Sequence, residues 1–357
     1  MSYCNNIINE SNRIYYFDYL RVFAICAVII FHVSATNWYD ANINDFTWRV
    51  FNFFDSITRW AVPVFVMISG ALFLNKNITL KKIYSKYIKR LLYAFLLWSA
   101  IYLLFKHRHI FTVGQAIKAL IIGYYHMWFI MMIIGLYICL PLTKAVTADN
   151  KRTKYYILLS FIFAFLIPTL TLLINDFAGS FLTNIMNGIS TTVYNMHMDI
   201  VLGYTGYFVL GYYLYNTPIN KKNRIYIYIF GILGLIFTIL TTTQCAITHK
   251  HICHHYYNFF HIGILLESIA VFVWFKHKKN IKTKTYPIIQ KLSKYTFGIY
   301  LVHVLVLEQL VYNLFNLSTL HFNPILSVLC ISLIVYILSF IISATLHQIP
   351  VLRKYLV

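Results

Sequence analysis

Arg21 and His32 stand eleven residues apart in the apolar segment FDYLRVFAICAVIIFHVS, residues 17–34. Eleven helical residues turn through about 1100°, three turns and roughly 20°, so the two side chains share one face about 16 Å apart along the axis. Asp18 precedes Arg21 by one turn on that face. A carboxylate, a guanidinium and an imidazole therefore form one polar file. A neutral imidazole can take the proton of an attacking hydroxyl, or can itself carry a transferred group for one step. A guanidinium offers a planar fork that matches phosphate or carboxylate. The plainer reading of such a histidine is a hydrogen bond to a neighbouring helix, but three ionisable groups on one stripe at membrane depth mark a site or a pathway.

A bundle of membrane helices must hold this file. The 357 residues are 60% hydrophobic, 18% aromatic and only 11% charged, with a mean hydropathy of +0.67. A water-facing shell of this size must be largely polar, so lipid is the solvent and spans of about 20 apolar residues are the unit of organisation. Ten spans are predicted: 17–37, 56–75, 87–105, 124–143, 155–174, 199–216, 225–243, 256–275, 295–315 and 325–347. The expected fold is all-α, a polytopic membrane protein with about ten transmembrane helices in one bundle over residues 17–347. Residues 1–16 and 348–357 are expected to be cytoplasmic flanking segments. No internal repeat of the kind that builds inverted-half transporters is visible. The outer segments 38–55, 106–123, 175–198 and 244–255 are polar enough for carbohydrate or head-group contact.

The net charge of +20 invites a nucleic-acid reading, which its distribution excludes. Of the 30 lysines and arginines, 24 fall in or beside the segments that share one side with the N-terminus and six on the other. That asymmetry is the positive-inside pattern and predicts both termini in the cytoplasm; a bacterial cytoplasmic membrane is the expected setting. No cleavable signal peptide is visible.

Further polar groups enter the spans. Arg59 is expected near the depth of His32, because the first two spans run antiparallel; it either snorkels or holds an oxyanion beside the imidazole. Lys81, Lys82, Lys86, Lys89 and Arg90 crowd the inner end of the third span, as an ordinary anchor or as a phosphate clamp. His126 and Trp128 open the fourth span, and His303 with Glu308 lies in the ninth. Together with Asp199, His261 and Glu267, these predict a polar cavity inside the bundle. Cys26, Cys139 and Cys330 read as small hydrophobes within spans, and Cys4 lies near the N-terminus. Cys245 and Cys253 share an outer loop and either pair in an oxidising compartment or remain two thiols. The surrounding run CAITHKHICHHYYNFFH matches no closed zinc spacing, and no metal site is expected.

Six stretches in the same order, from about residue 13 to 305, resemble the integral-membrane acyltransferase family 3, within it the surface-polysaccharide O-acetyltransferases without a fused soluble domain. They are FDYLRVFAICAVIIFHVS, RWAVPVFVMISGALFL, YIKRLLYAFLLWS, HMWFIMMIIGLYICLPL, LGYTGYFVLGYYLY and FGIYLVHVLVL. The first is the most specific, with arginine, ten residues and histidine all matching. The resemblance implies a ten-helix bundle that passes an acyl group, usually acetyl, from cytoplasmic acyl-CoA to a hydroxyl of a cell-surface or lipid-linked glycan. By position it implies Arg21 and His32 as site residues, and Arg90 as the second basic residue of an Arg-x-x-Arg pattern. This chain departs there, with Tyr87 in the first place and Lys86 or Lys89 nearby.

The expected arrangement places Arg21, Lys86, Lys89 and Arg90 on the coenzyme, His32 and Arg59 at the reacting centre, and His126, Trp128, His303 and Glu308 around the acceptor. His32 is either general base or transient acyl carrier. No permanently bound cofactor is expected: acetyl-CoA or another acyl-CoA is a co-substrate, and membrane lipid and a glycan acceptor are the other partners. A polysaccharide or lipid-linked sugar transporter or flippase is the alternative, which explains a polar cavity but not a histidine aligned with a basic mouth.

Overall fold

The computed structural model describes residues 13–106, 112–196, 198–278 and 285–355. Cys4, Arg108, Lys279, Lys282 and Lys284 lie outside the described residues, as does the side chain of Asp199. The described residues form helices and turns with no strand. Among the described residues eight helices are long and apolar enough to cross a membrane, or nine if the bent pair Val113–Ile122 with Tyr125–Ile138 is one span. The remaining expected span, 199–216, is a helix over Asp199–Asn216 broken at Gly203 (φ −46°, ψ −126°).

The first helix, Tyr15–Thr36, is the axis of the bundle. It packs against the helices Phe46–Thr58, Ala61–Phe73, Ile262–His277, Tyr286–Leu305 and Pro324–Gln348. Burial on so many sides explains its sequence: apolar nearly all round, with hardly any polar stripe other than Asp18, Arg21 and His32. Its neighbour Ala61–Phe73 crosses Asp199–Asn216 at backbone contact. A Cβ on Gly70 would sit 1.8 Å from the Phe208 carbonyl oxygen, and one on Gly211 would sit 2.1 Å from that of Met67. Glycine on both helices is what lets them meet there.

The second span is longer than hydropathy indicates. Residues 46–55, read as loop, continue the helical path as Phe46–Thr58, which breaks at Arg59–Trp60 and resumes as Ala61–Phe73. The polar residues that depress its hydropathy face inward, with Asn52, Asp55 and Ser56 all buried. The other outer segments are partly helical too, as Val113–Ile122 and Ser180–Asn195. Gly123, at φ +76°, turns the chain out of the first of these and into the short turn Tyr125–Met127 that carries His126.

Candidate active site

One cavity of about 570 Å³ runs beside the first helix and is lined by Arg21, His32, Arg59, His126, Trp128 and Tyr300, among others. The file of residues therefore faces protein and cavity, with Arg21 toward one end and His32 eleven residues along. Val28, Phe31, Phe65, Phe129 and Phe297 make the intervening walls apolar, as a passage for an uncharged acyl chain requires.

At the Arg21 end, Asp18 is 1% exposed and accepts four hydrogen bonds. The donors are Arg13 Nε (2.7 Å), Ser293 Oγ (2.8 Å), the Tyr286 hydroxyl (2.9 Å) and Arg21 Nη1 (3.3 Å). A buried carboxylate satisfied in this way fixes the Arg21 guanidinium at the cavity wall. Arg90 reaches the same end, its guanidinium 6.0 Å from the ring centre of Phe297, which lines the cavity. Lys86 and Lys89 are exposed, lie over the rings of Tyr87 and Tyr93, and do not line the cavity. Tyr87, where the family pattern has a basic residue, packs its ring 5.0 Å from Phe73 and 6.3 Å from Tyr137.

At the other end three histidines converge. Ring centres of His32 and His303 are 5.1 Å apart, those of His126 and His303 5.3 Å, and those of His32 and His126 6.5 Å. Tyr125 lies 5.7 Å from His32. His303 is fully buried, and its Nδ1 lies 2.6 Å from the Tyr300 carbonyl oxygen. A carbonyl only accepts, so Nδ1 carries the proton and Nε2 presents a lone pair, buried without a partner among the described residues. The Tyr300 hydroxyl donates to the His126 carbonyl at 2.7 Å, tying this helix to the turn that bears His126. His32 is only half-buried and makes no side-chain hydrogen bond to a described residue, so its ring nitrogens face the cavity.

Arg59 arrives from the break between Phe46–Thr58 and Ala61–Phe73. Its Nη2 donates to Asp55 at 2.7 Å, and its guanidinium lies 5.2 Å from the Phe31 ring centre and 4.5 Å from that of Tyr257. It does not snorkel: the side chain is 16% exposed, lines the cavity and stands beside His32. Trp128 also lines the cavity, between Tyr204 and Phe259. Glu308 is one layer back, accepting from the Tyr124 hydroxyl at 2.7 and 2.9 Å.

The expected polar cavity gathers fewer groups than the sequence implies. His261 lines a second cavity of about 470 Å³ with Tyr204 and Asn258, and Glu267 lines an apolar groove with Phe23, Trp60 and Trp274. Helix rotation separates them from His32, and hydropathy carries no information on rotation. Sequence reasoning also missed Tyr102. Its hydroxyl donates to the Leu301 carbonyl at 2.9 Å and accepts from the Leu305 amide at 3.1 Å, bridging the two groups that an ideal helix pairs directly. The chain then turns to π-helix over Val306–Leu314. An apolar span with a buried tyrosine hydroxyl needs such a partner, and that was the available signal.

The family model for the acyltransferase domain, acyltransferase 3, matches residues 14–344, nearly the whole chain. The chain belongs to that family and is a multi-pass membrane acyltransferase. Comparison with curated proteins and with solved structures gives no significant match.

Proposed function

We propose that this protein is an O-acetyltransferase of the bacterial cytoplasmic membrane, moving acetyl from acetyl-CoA to a hydroxyl of a cell-surface or lipid-linked glycan. The observation that carries the reading is the single cavity lined by Arg21 toward its basic end and by His32 and Arg59 farther along. With that basic end in the cytoplasm, as the positive-inside pattern predicts, Arg90 and Arg21 bind the coenzyme phosphates and orient its arm. The arm carries the thioester about 16 Å along the first helix to His32.

Neutral His32 removes the proton of the acceptor hydroxyl as its oxygen attacks the thioester carbonyl carbon. Arg59, already desolvated beside His32, stabilises the negative charge that develops on the carbonyl oxygen. The carbon–sulfur bond then breaks, and the departing coenzyme thiolate takes the proton back from the imidazolium. The products are the acetyl ester, free coenzyme and neutral His32. His126 and Trp128 on the cavity wall contact the acceptor, Trp128 by stacking on a sugar face.

The test is transfer of labelled acetyl from acetyl-CoA to glycan in membrane vesicles holding wild type or His32→Ala at equal abundance. Loss of transfer in the variant is expected. Wild-type transfer would remove His32 from the chemistry, and loss of glycan export with acetylation intact would favour transport.

A further inference from the structure

A cluster away from the cavity brings together donors that are far apart in sequence. Cys245, at the end of the helix Lys221–His249, is disulfide-bonded to Cys253 in the loop that follows. Asp176, 69 residues before Cys245, reaches them from the helix Ile167–Phe177. Its Oδ2 lies 2.7 Å from His255 Nε2 and 3.4 Å from Cys245 Sγ, and His255 Nε2 lies 3.6 Å from that same sulfur. Tyr256 donates to Asp176 at 2.8 Å, and His249 Nε2 stands 3.4 Å from the other carboxylate oxygen.

These spacings have a chemical meaning. Zinc bonds of about 2.3 Å to sulfur and about 2.0–2.1 Å to nitrogen or oxygen give tetrahedral edges of about 3.3–3.8 Å. The distances from the Cys245 sulfur to the carboxylate and the imidazole fall on those edges, while Asp176 Oδ2 and His255 Nε2, hydrogen-bonded at 2.7 Å, must part by about 0.6 Å to hold one ion together. Both cysteines are buried while Asp176 and His255 are partly exposed, so the cluster has a soft interior and an open side. No local sequence spacing announces it, because the fourth donor comes from another helix.

We infer that Cys245, Cys253, His255 and Asp176 form a redox-gated site for a zinc-class divalent ion, closed by the disulfide and opened by its reduction. A dithiol reductant adds two electrons and two protons to the Sγ–Sγ bond and leaves as its own disulfide. Zinc then binds both sulfurs and displaces the two thiol protons to solvent. Either state ties the helices Lys221–His249 and Ile167–Phe177 to the loop before Phe259, which lines the main cavity. The inference does not depend on the acyl-transfer reading.

The experiment uses the full chain in detergent, either air-oxidised or reduced with a dithiol that is removed under anaerobic conditions before zinc is added. After gel filtration the reduced chain should retain about one zinc and the oxidised chain less than about a tenth of that. Cobalt in place of zinc should give a thiolate charge-transfer band in the reduced wild type, absent from Cys245→Ser/Cys253→Ser. Asp176→Ala in the reduced chain should weaken zinc binding tenfold or more, roughly the least expected for losing a ligand. Equal zinc in oxidised and reduced protein would show that surface histidines bind it and would overturn the inference. So would full retention by the double serine variant, no zinc in the reduced chain, or unchanged affinity in Asp176→Ala.

Discussion

The rings of His32 and His303 stand 5.1 Å apart, and the backbone beneath them sets which nitrogen of His303 faces its neighbours with a lone pair. Because Nδ1–H of His303 donates to the Tyr300 carbonyl, Nε2 can only accept. Of the two neutral tautomers of His32, an acceptor beside it favours the one whose proton lies on the nitrogen nearer His303, which leaves the lone pair of the other nitrogen to act as base. His303→Ala is therefore expected to lower kcat by about 10²-fold, within the range of general base catalysis, with little change in KM for acyl-CoA. His303→Gln, whose amide oxygen also accepts, should recover part of the loss. Equal loss in both variants would leave His303 a packing residue.

Arg90 and its lysine neighbours separate a clamp from an anchor. Only Arg90 of the three reaches a residue that lines the cavity. A charge-assisted hydrogen bond contributes about 1.5–3 kcal/mol, so Arg90→Ala should raise KM for acyl-CoA by roughly 10- to 100-fold and leave KM for the acceptor near wild type. Lys86→Ala and Lys89→Ala should change either constant less than about threefold, since both side chains lie over tyrosine rings that do not line the cavity. Steady-state kinetics with each substrate varied in turn checks both statements.

Much of the scaffold was legible because the bilayer imposes one rule, that apolar runs must be helices of a given length. The Arg21–His32 file was legible for the same reason: ionisable groups stand out against a background in which they are costly. Interactions that depend on rotation and on distant partners were not. Asp55 read as part of a surface segment, yet it is 1% exposed and bound to Arg59. Asn52, one turn earlier, donates to Thr243 at 2.8 Å and accepts from Tyr257, which extends a polar layer that hydropathy averages into a loop. Asp176 lies 69 residues from Cys245, so no local window joins them.

The close crossing of Ala61–Phe73 with Asp199–Asn216 makes Gly70 and Gly211 sensitive positions. A single methyl on either glycine would overlap a backbone carbonyl, and Ala61–Phe73 cannot move without disturbing the cavity wall at Phe65. Gly70→Ala and Gly211→Ala should each destabilise the protein by about 1–3 kcal/mol, as overpacking does. Thermal unfolding in detergent would show a lowered Tm. Gly179→Ala, where a Cβ meets nothing within 4 Å, is the control expected to behave as wild type.

Tyr102 offers a test of how the His303 helix is held. Removing its hydroxyl leaves the Leu301 carbonyl and the Leu305 amide without their shared bridge, at a cost of about 1–3 kcal/mol if both stay buried. Tyr102→Phe should therefore lower Tm, and should lower kcat as well if His303 shifts with its helix. A lowered Tm with unaltered kcat would confine Tyr102 to stability.

Arg59 and Asp55 form a buried pair whose two possible roles can be separated. If Arg59 only neutralises Asp55, removing both charges should leave transfer intact. Arg59→Ala alone strands a carboxylate that is 1% exposed, which costs about 3–5 kcal/mol in comparable buried pairs. Asp55→Asn with Arg59→Ala removes that stranded charge, so Tm should return most of the way to wild type. If the guanidinium stabilises the developing oxyanion, the double variant should still lose about 10²–10³ in kcat. Recovered stability with absent transfer is the expected outcome. Recovered transfer would make Arg59 a structural partner of Asp55 and remove it as the oxyanion donor beside His32.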